Sequence, residues 1–222
     1  MDGSAPDMNP QEEITRIRVL YTKGDSLRFT GHLDMQRLWE RLLRRSNLPV
    51  RYSQGFHPRA RMNLASALPL GFVSDAELLD FWMNEPLPIK EIRSRLSDAA
   101  PPGLEIKEVS QAALSEDALQ VQMTASEFEV EFFDPQDAEA LNKKVDDFLS
   151  QDTIMRRRRK KVYDLRPLVI EINVINLENG EPALRMKLKA EEGATGRPDE
   201  VLDELGFQNT EYLVCRTKLL FS

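Results

Sequence analysis

Apolar residues recur along the first half of the chain in patterns that predict four strands and two helices. Short apolar runs predict strands at residues 17–21, 61–67, 76–83 and 104–109. Apolar residues at helical spacing predict helices at residues 32–45 and 88–99. Pro88 suits the first turn of the second helix, because a backbone N–H has no helical partner there. The predicted order is β-α-β-β-α-β, that of a ferredoxin-like unit.

The second half repeats this order after a polar link at residues 110–120. Glutamates alternate with apolar residues in its first predicted strand, a pattern typical of a half-buried strand. An Asn179-Gly180 turn signal joins the two middle strands into a hairpin. The predicted strand, helix, strand, strand, helix and strand fall at residues 128–133, 134–149, 168–177, 183–190, 197–205 and 211–219.

We therefore predict an α+β fold made of two tandem ferredoxin-like units, each with an antiparallel sheet. The first unit would span residues 15–110 and the second residues 121–222. With 222 residues, the chain is long enough for two domains of about 100 residues, each with its own core. Residues 1–14 are acidic and polar, and we expect them to form a disordered leader.

Composition excludes several classes of protein. No apolar run approaches the roughly 18 residues that a membrane span requires, so we expect a cytoplasmic protein with no membrane partner. The single cysteine, Cys215, excludes disulfides within the chain and cysteine-rich zinc or iron–sulfur sites. The two histidines have no carboxylates at metal-ligand spacing, and nucleotide-binding glycine motifs are absent. We therefore predict neither a metal site nor a cofactor.

Positive charge is concentrated in one segment of an acidic chain. The net charge is −7, yet residues 28–61 carry eight arginines against two acids, which is a net charge of +6. On the predicted helix at residues 32–45, Arg37, Arg41, Arg44 and Arg45 fall opposite the apolar side. Phosphates would relieve the repulsion among these guanidinium groups. The alternative is an ordinary solvated outer helix.

The loop at residues 51–59 adds groups that could hold unpaired bases. Tyr52, Phe56 and His57 offer rings for stacking, and Gly55 permits close backbone approach. The alternative is that Tyr52 and Phe56 fasten the loop to the sheet. The predicted nucleic-acid site comprises Arg37, Arg41, Arg44, Arg45, Tyr52, Gln54, Phe56, His57 and Arg59.

Two further features leave alternatives open. His32 begins the basic helix and would be the general base if the protein were a metal-independent endoribonuclease, although an anion-binding or structural role is the simpler hypothesis. The run from Arg156 to Lys161 is cationic throughout and could contact nucleic acid or protect a strand edge. No catalytic residue is otherwise indicated.

The segment from Arg28 to Phe81 closely resembles the DUF2344 family of radical-SAM-associated proteins. The matching positions are Gly31, His32, Leu33, Asp34, Arg44, Arg45, Pro49, Tyr52, Ser53, Gln54, Gly55, Phe56, Pro58, Leu70, Gly71, Ser74 and Glu77. The resemblance implies an accessory module that serves a radical SAM enzyme, since this chain has no cluster-binding cysteine motif. We therefore expect an RNA-binding accessory protein, with a ribonuclease and a protein-only docking module as alternatives.

Overall fold

The structure is a computed structural model and describes residues 13–158, 160–191 and 193–222. The first half contains β1 (Thr15–Lys23), α1 (His32–Arg45), β2 (Met62–Leu64), β3 (Phe72–Met83), α2 (Ile89–Ala99) and β4 (Ile106–Ala112). Each element predicted for this half is present. The predicted leader falls almost entirely at residues 1–12, which lie outside the described residues.

The second half begins with the short helix α3 (Leu119–Gln122) and contains one hairpin that the sequence pattern did not predict. Its elements are β5 (Met123–Phe132), α4 (Ala138–Leu149), β6 (Met155–Arg158), β7 (Lys161–Asp164), β8 (Val169–Asn176), β9 (Pro182–Glu191), β10 (Ala194–Thr195), α5 (Pro198–Glu204) and β11 (Tyr212–Phe221). The unpredicted hairpin is β6–β7, which contains much of the second basic run. The short helix α3 and the two-residue strand β10 were not predicted either.

Nine of the described strands form one continuous sheet. The order is β10-β9-β5-β11-β3-β1-β4, with β8 beside β9 and β2 beside β3. All neighbours are antiparallel except β11 and β3, which pair in parallel through Val214 with Phe72 and Arg216 with Ser74. This confirms a mixed α+β fold with a mostly antiparallel sheet. The division into two tandem units at residues 15–110 and 121–222 stays a prediction.

The pairing of β11 with β3 explains why β2 is shorter than predicted. β11 occupies the first residues of β3, whereas β2 pairs only with the later residues, from Leu79 to Phe81. The chain between Ala65 and Gly71 therefore leaves the sheet. It passes over the junction of the two halves, where Leu68 packs into the core of the second half.

Helices of both halves lie on the same face of the sheet. The register places Tyr21 opposite Glu77 and Val214 opposite Phe72, so these side chains share one face. In the first half, α1 buries Trp39 against Tyr21, with their ring centroids 4.8 Å apart. Each fully buried large apolar side chain contributes about 1.5–3 kcal/mol.

The opposite face is crossed by the link between the halves. Arg16, which is buried, donates to the carbonyl oxygens of Glu116 and Asp117 at 2.6 and 2.8 Å and to Asp80 Oδ2 at 2.8 Å. Asp80 also accepts from Arg18 Nε at 2.9 Å. These bonds satisfy the buried charges and fix the link against the sheet. No helix within the described residues is long and apolar enough to cross a membrane.

Candidate nucleic-acid interface

The amphipathic pattern of α1 directs its arginines to solvent. Met35, Trp39, Leu42 and Leu43 are buried in the first core, and the helix follows the 3.6-residue period that this burial requires. Its four arginines, here called the α1 arginine face, are all exposed: Arg37, Arg41, Arg44 and Arg45. The helix therefore presents one apolar face to the sheet and one cationic face to solvent.

Carboxylates neutralise little of the α1 arginine face. Arg37 Nη1 lies 3.3 Å from Asp34 Oδ1 on the same helix, and both side chains are about two-thirds exposed, so the pair stabilises little. Arg45 Nη2 donates to the carbonyl oxygen of Ala99 at 2.7 Å. Arg41 and Arg44 have no hydrogen-bond or ion-pair partner in the part of the chain that the structure describes. The described acids of the second half do not contact this face.

Two shallow grooves run beside the α1 arginine face, between α1 and the end of α2. One, of about 390 Å³, is lined by Arg37, Arg41, Arg45 and neighbouring residues. The other, of about 490 Å³, is lined by Arg45, Arg95 and the turn after α2. Both include Arg45 and Pro101, so they adjoin.

The loop at residues 51–59, here called the tip loop, projects from the edge of the sheet. Its base is held by hydrogen bonds from Arg51 N to Trp82 O and from Arg61 N to Arg51 O, and Gly55 at its tip has a φ of +138°. Phe56 is fully exposed, which excludes the alternative that its ring fastens the loop to the sheet. Tyr52 is half-buried and packs against the first core.

The structure brings together some of the predicted residues and separates others. The three α1 arginines Arg37, Arg41 and Arg45 line adjoining grooves, whereas no tip-loop residue lines either groove. The remaining predicted residues of the tip loop are exposed: Gln54, His57 and Arg59. Their contact with nucleic acid stays a prediction, as does that of the arginines.

His32 is the first residue of α1 and is exposed at its N-terminus. It lines a cavity of only about 10 Å³ together with Tyr21, Lys23, Glu77 and nearby residues. That volume holds at most one water molecule. The role of His32 as a general base stays a prediction.

Acids of α5 pair with two arginines of the second basic run, whereas its exposed cations Arg157, Lys160 and Lys161 have no ion-pair partner among the described residues. Arg156 forms ion pairs of 2.9 Å with Asp203 and 2.5 Å with Glu204. Arg158 Nε donates to Glu200 Oε1 at 2.7 Å. Burial alone would raise the pKa of Glu200, but hydrogen bonds from Arg158 and the Tyr163 hydroxyl outweigh it and lower the pKa. The β6–β7 hairpin is thereby fixed to α5.

A buried set of charges at the junction of the two halves was not predicted. Arg216 and Glu77 form an ion pair in which Nε and Nη2 of Arg216 both donate to the Glu77 carboxylate, and both residues are buried. Lys23, also buried, donates to the carbonyl oxygen of Phe72 at 3.1 Å. Burial lowers the pKa of Lys23, and Arg216 lowers it further, while Glu77 opposes both effects. Burial and Glu77 raise the pKa of the Tyr21 hydroxyl.

The sequence held one signal for this set. Glu77 and Arg216 are charged residues on strand faces that they share with apolar residues, where an alternating pattern expects apolar side chains. Among the described residues, no group of three or more histidine, cysteine, aspartate or glutamate side chains could hold a metal ion.

Comparison with solved structures finds chains with low sequence identity. A Cbf5-Nop10-Gar1 complex has a chain with a TM-score of 0.46 and 10% identity; the match covers 94% of this chain and 49% of that one. An H/ACA RNP bound to a substrate RNA containing 2'-deoxyuridine gives 0.44 and 9%, covering 92% and 47%. The archaeal box H/ACA sRNP Nop10-Cbf5 complex gives 0.43 and 8%, covering 94% and 48%. The chain thus spans about half the length of these solved chains.

No curated protein sequence matches this chain. A family model does match, over residues 16–198, which include the α1 arginine face, the tip loop and β3 with Glu77, whereas β11 with Arg216 lies beyond the matched range. The model is described as an uncharacterized protein conserved in bacteria, and the match covers most of the chain. The chain therefore belongs to the DUF2344 family.

Proposed function

We propose that this protein is an RNA-binding accessory module, and that the α1 arginine face holds phosphates while the tip loop holds bases. The observation that carries the proposal is that all four arginines of the α1 arginine face are exposed and that, among the described residues, a carboxylate pairs with only one of them, Arg37. Arg156 and Arg158 are paired with acids of α5, whereas Arg41 and Arg44 have no partner among the described residues. Guanidinium groups left unpaired on one face are suited to an external polyanion.

The exposed ring of Phe56 supports a single-stranded partner. An aromatic side chain that is fully exposed at the tip of a loop loses hydrophobic stabilisation, and stacking on an unpaired base would recover it. Phosphate contacts alone carry no information about bases, so the tip loop would supply any preference for unpaired RNA. The partner enzyme would be a radical SAM protein, as the family resemblance implies.

Salt dependence of RNA binding tests the α1 arginine face. Four arginines that each neutralise one phosphate of single-stranded RNA give a slope of about −0.7 each, or about −2.8 in all, for the logarithm of the association constant against that of salt. The Arg41→Gln/Arg44→Gln variant should halve that slope and weaken binding about tenfold at 0.15 M salt. Fluorescence anisotropy of a labelled 12-nucleotide RNA measures both quantities.

The matched control is Arg93→Gln/Lys143→Gln, which removes two exposed cations from α2 and α4 and should leave the slope unchanged. Phe56→Ala in the same assay should weaken binding by about 1–3 kcal/mol with the slope intact, because stacking involves no counterions. Equal dissociation constants and slopes for the α1 variant and the unmodified protein would refute the proposal.

Two outcomes would favour the alternatives instead. Cleavage of the RNA in the presence of EDTA, lost in His32→Ala, would indicate a metal-independent endoribonuclease. Absence of RNA binding, together with co-purification of a radical SAM enzyme after nuclease treatment, would indicate a protein-only docking module.

A further inference from the structure

A second candidate site lies where the segment after β2 meets the second half, away from α1. A cavity of about 210 Å³ is bounded by the segment from Ser66 to Pro69 on one side and by residues around Arg197 on the other. A second cavity, of about 320 Å³, adjoins it and shares Arg158, Thr195 and Arg197. We call the two together the central cleft. The larger cavity reaches the lower end of the usual size of ligand pockets, about 300 Å³.

Three arginines of the central cleft are held in the same way. Arg158, Arg197 and Arg216 each donate from Nε and Nη2 to a single carboxylate, which belongs to Glu200, Asp199 and Glu77 respectively. None of these three carboxylates is among the lining residues of either cavity. The acids therefore orient the guanidinium groups without lining the cavities. Lys161 and Lys189, which have no ion-pair partner among the described residues, also line the cavities and add positive charge that these acids do not offset.

Each of the three guanidinium groups keeps hydrogen-bond donors available. Within the described residues, Nη1 of Arg158, Arg197 and Arg216 has no acceptor. Arg216 is 1% exposed, so its Nη1 could find an acceptor only from something that enters the cavity. The hydroxyl of Ser126, a buried lining residue, likewise has no partner in the described parts of the chain. None of these groups is among the described buried atoms that lack a partner, so they are open to the cavity, where a ligand could accept from them.

The rest of the lining limits the ligand class. Asp164 is the one acid among the described lining residues, and its Oδ1 already accepts from the backbone N–H groups of Ile154 and Arg166. Apolar and aromatic lining is supplied by Leu68, Pro69, Phe128 and Pro198. A ligand that suits both parts has a doubly charged anionic group, which the arginines would bind, and a flat ring whose faces pack against the hydrophobic wall.

We propose that the central cleft binds a nucleoside 5'-monophosphate group, with Arg158, Arg197 and Arg216 on the phosphate and Phe128 beside the base. The group is either a free nucleotide or the 5'-terminal nucleotide of an RNA. The central cleft shares no lining residue with the grooves beside α1, so this site does not depend on the α1 arginine face.

Isothermal titration of the full chain with each of the four nucleoside 5'-monophosphates tests the site. The Arg197→Gln and Arg158→Gln variants should each weaken binding at least about tenfold, because a charge-assisted bond to phosphate is lost. The matched control is Arg185→Gln, since Arg185 donates from Nε and Nη2 to Glu129 in the same fashion but does not line the central cleft. Melting temperatures within a few degrees of the unmodified protein would show that the variants fold.

Two further titrations distinguish the sources of the nucleotide. Tighter binding of a 5'-phosphorylated trinucleotide than of the mononucleotide would assign an RNA end, and equal binding would assign a free nucleotide. The Arg41→Gln/Arg44→Gln variant should keep full mononucleotide affinity, which separates this proposal from the previous one. The proposal is overturned if the unmodified protein binds no probe, if inorganic phosphate binds as tightly as the nucleotides, or if Arg197→Gln and Arg158→Gln behave like Arg185→Gln.

Discussion

Replacing Glu77 by glutamine should destabilise the fold more than replacing its partner Arg216 by methionine. Glu77 is the acid between two buried cations, Arg216 and Lys23, and all three residues are at most 5% exposed. Removing the carboxylate leaves two positive charges near each other in the core. Removing Arg216 leaves Glu77 with Lys23, whose charge interacts with it favourably.

The size of the effect follows from the cost of an uncompensated buried charge. Breaking a buried ion pair by removing one partner costs about 3–5 kcal/mol. We expect Glu77→Gln to reach this range and Arg216→Met to fall below it by about 1 kcal/mol or more, because one opposite charge remains. For a chain of this size, about 2–4 °C of melting temperature corresponds to each kcal/mol, so Glu77→Gln should lower it by about 6–20 °C.

Urea unfolding followed by circular dichroism measures the free energy of unfolding of each variant. The control removes an exposed pair: Glu129→Gln breaks the contact with Arg185, whose side chain is half-exposed, and should cost less than about 1 kcal/mol. If Glu77→Gln cost no more than Glu129→Gln, or if Arg216→Met were the more damaging change, the electrostatic account of the buried set would be wrong.

Two further predictions follow from pKa shifts. The folded pKa of Glu200 lies below its ordinary value of 4.5, so the stability it contributes is present above about pH 4.5 and is lost as pH falls through the folded pKa. Acid titration of the unfolding free energy should therefore fall less steeply in Glu200→Gln; parallel acid limbs would contradict this. Burial, reinforced by Asp75, raises the pKa of the Cys215 thiol to about 12. At pH 9 only about a thousandth of it is ionised, so iodoacetamide should alkylate the folded protein hundreds of times more slowly than the urea-unfolded chain, and equal rates would argue against the shift.

Local sequence patterns predicted the helices and strands well, because the formation of these elements depends largely on residues that are close in the sequence. The helix at residues 32–45 was predicted with the bounds that the structure has, since its apolar residues repeat at the helical period. The exposure of Arg41 and Arg44 follows from the same pattern. The predicted length of β2 was wrong. The first residues of β3 pair with β11, a strand about 150 residues later in the chain, and β2 pairs only with later residues of β3.

The two basic runs show that the sequence does not predict which cations are paired with acids. Both are rich in arginine, yet only the folded chain shows that Arg156 and Arg158 lie against acids of α5 while the α1 arginine face does not. The sequence gives the number of charges and the side of a helix or strand on which they lie. Ion pairing with acids depends on contacts between distant segments of the chain. For this reason the choice between edge protection and nucleic-acid contact stayed open for the second run.

Periodicity, composition and motif were enough for the mixed α+β class, for most of the strands and helices, and for membership of the family, because each depends on information carried within short segments. The single sheet, the central cleft and the buried set of Lys23, Glu77 and Arg216 arise only when β11 pairs with β3. Glu77 and Arg216 are 139 residues apart, and no local pattern relates them. Their association is decided by strand register, which depends on the packing of the whole sheet.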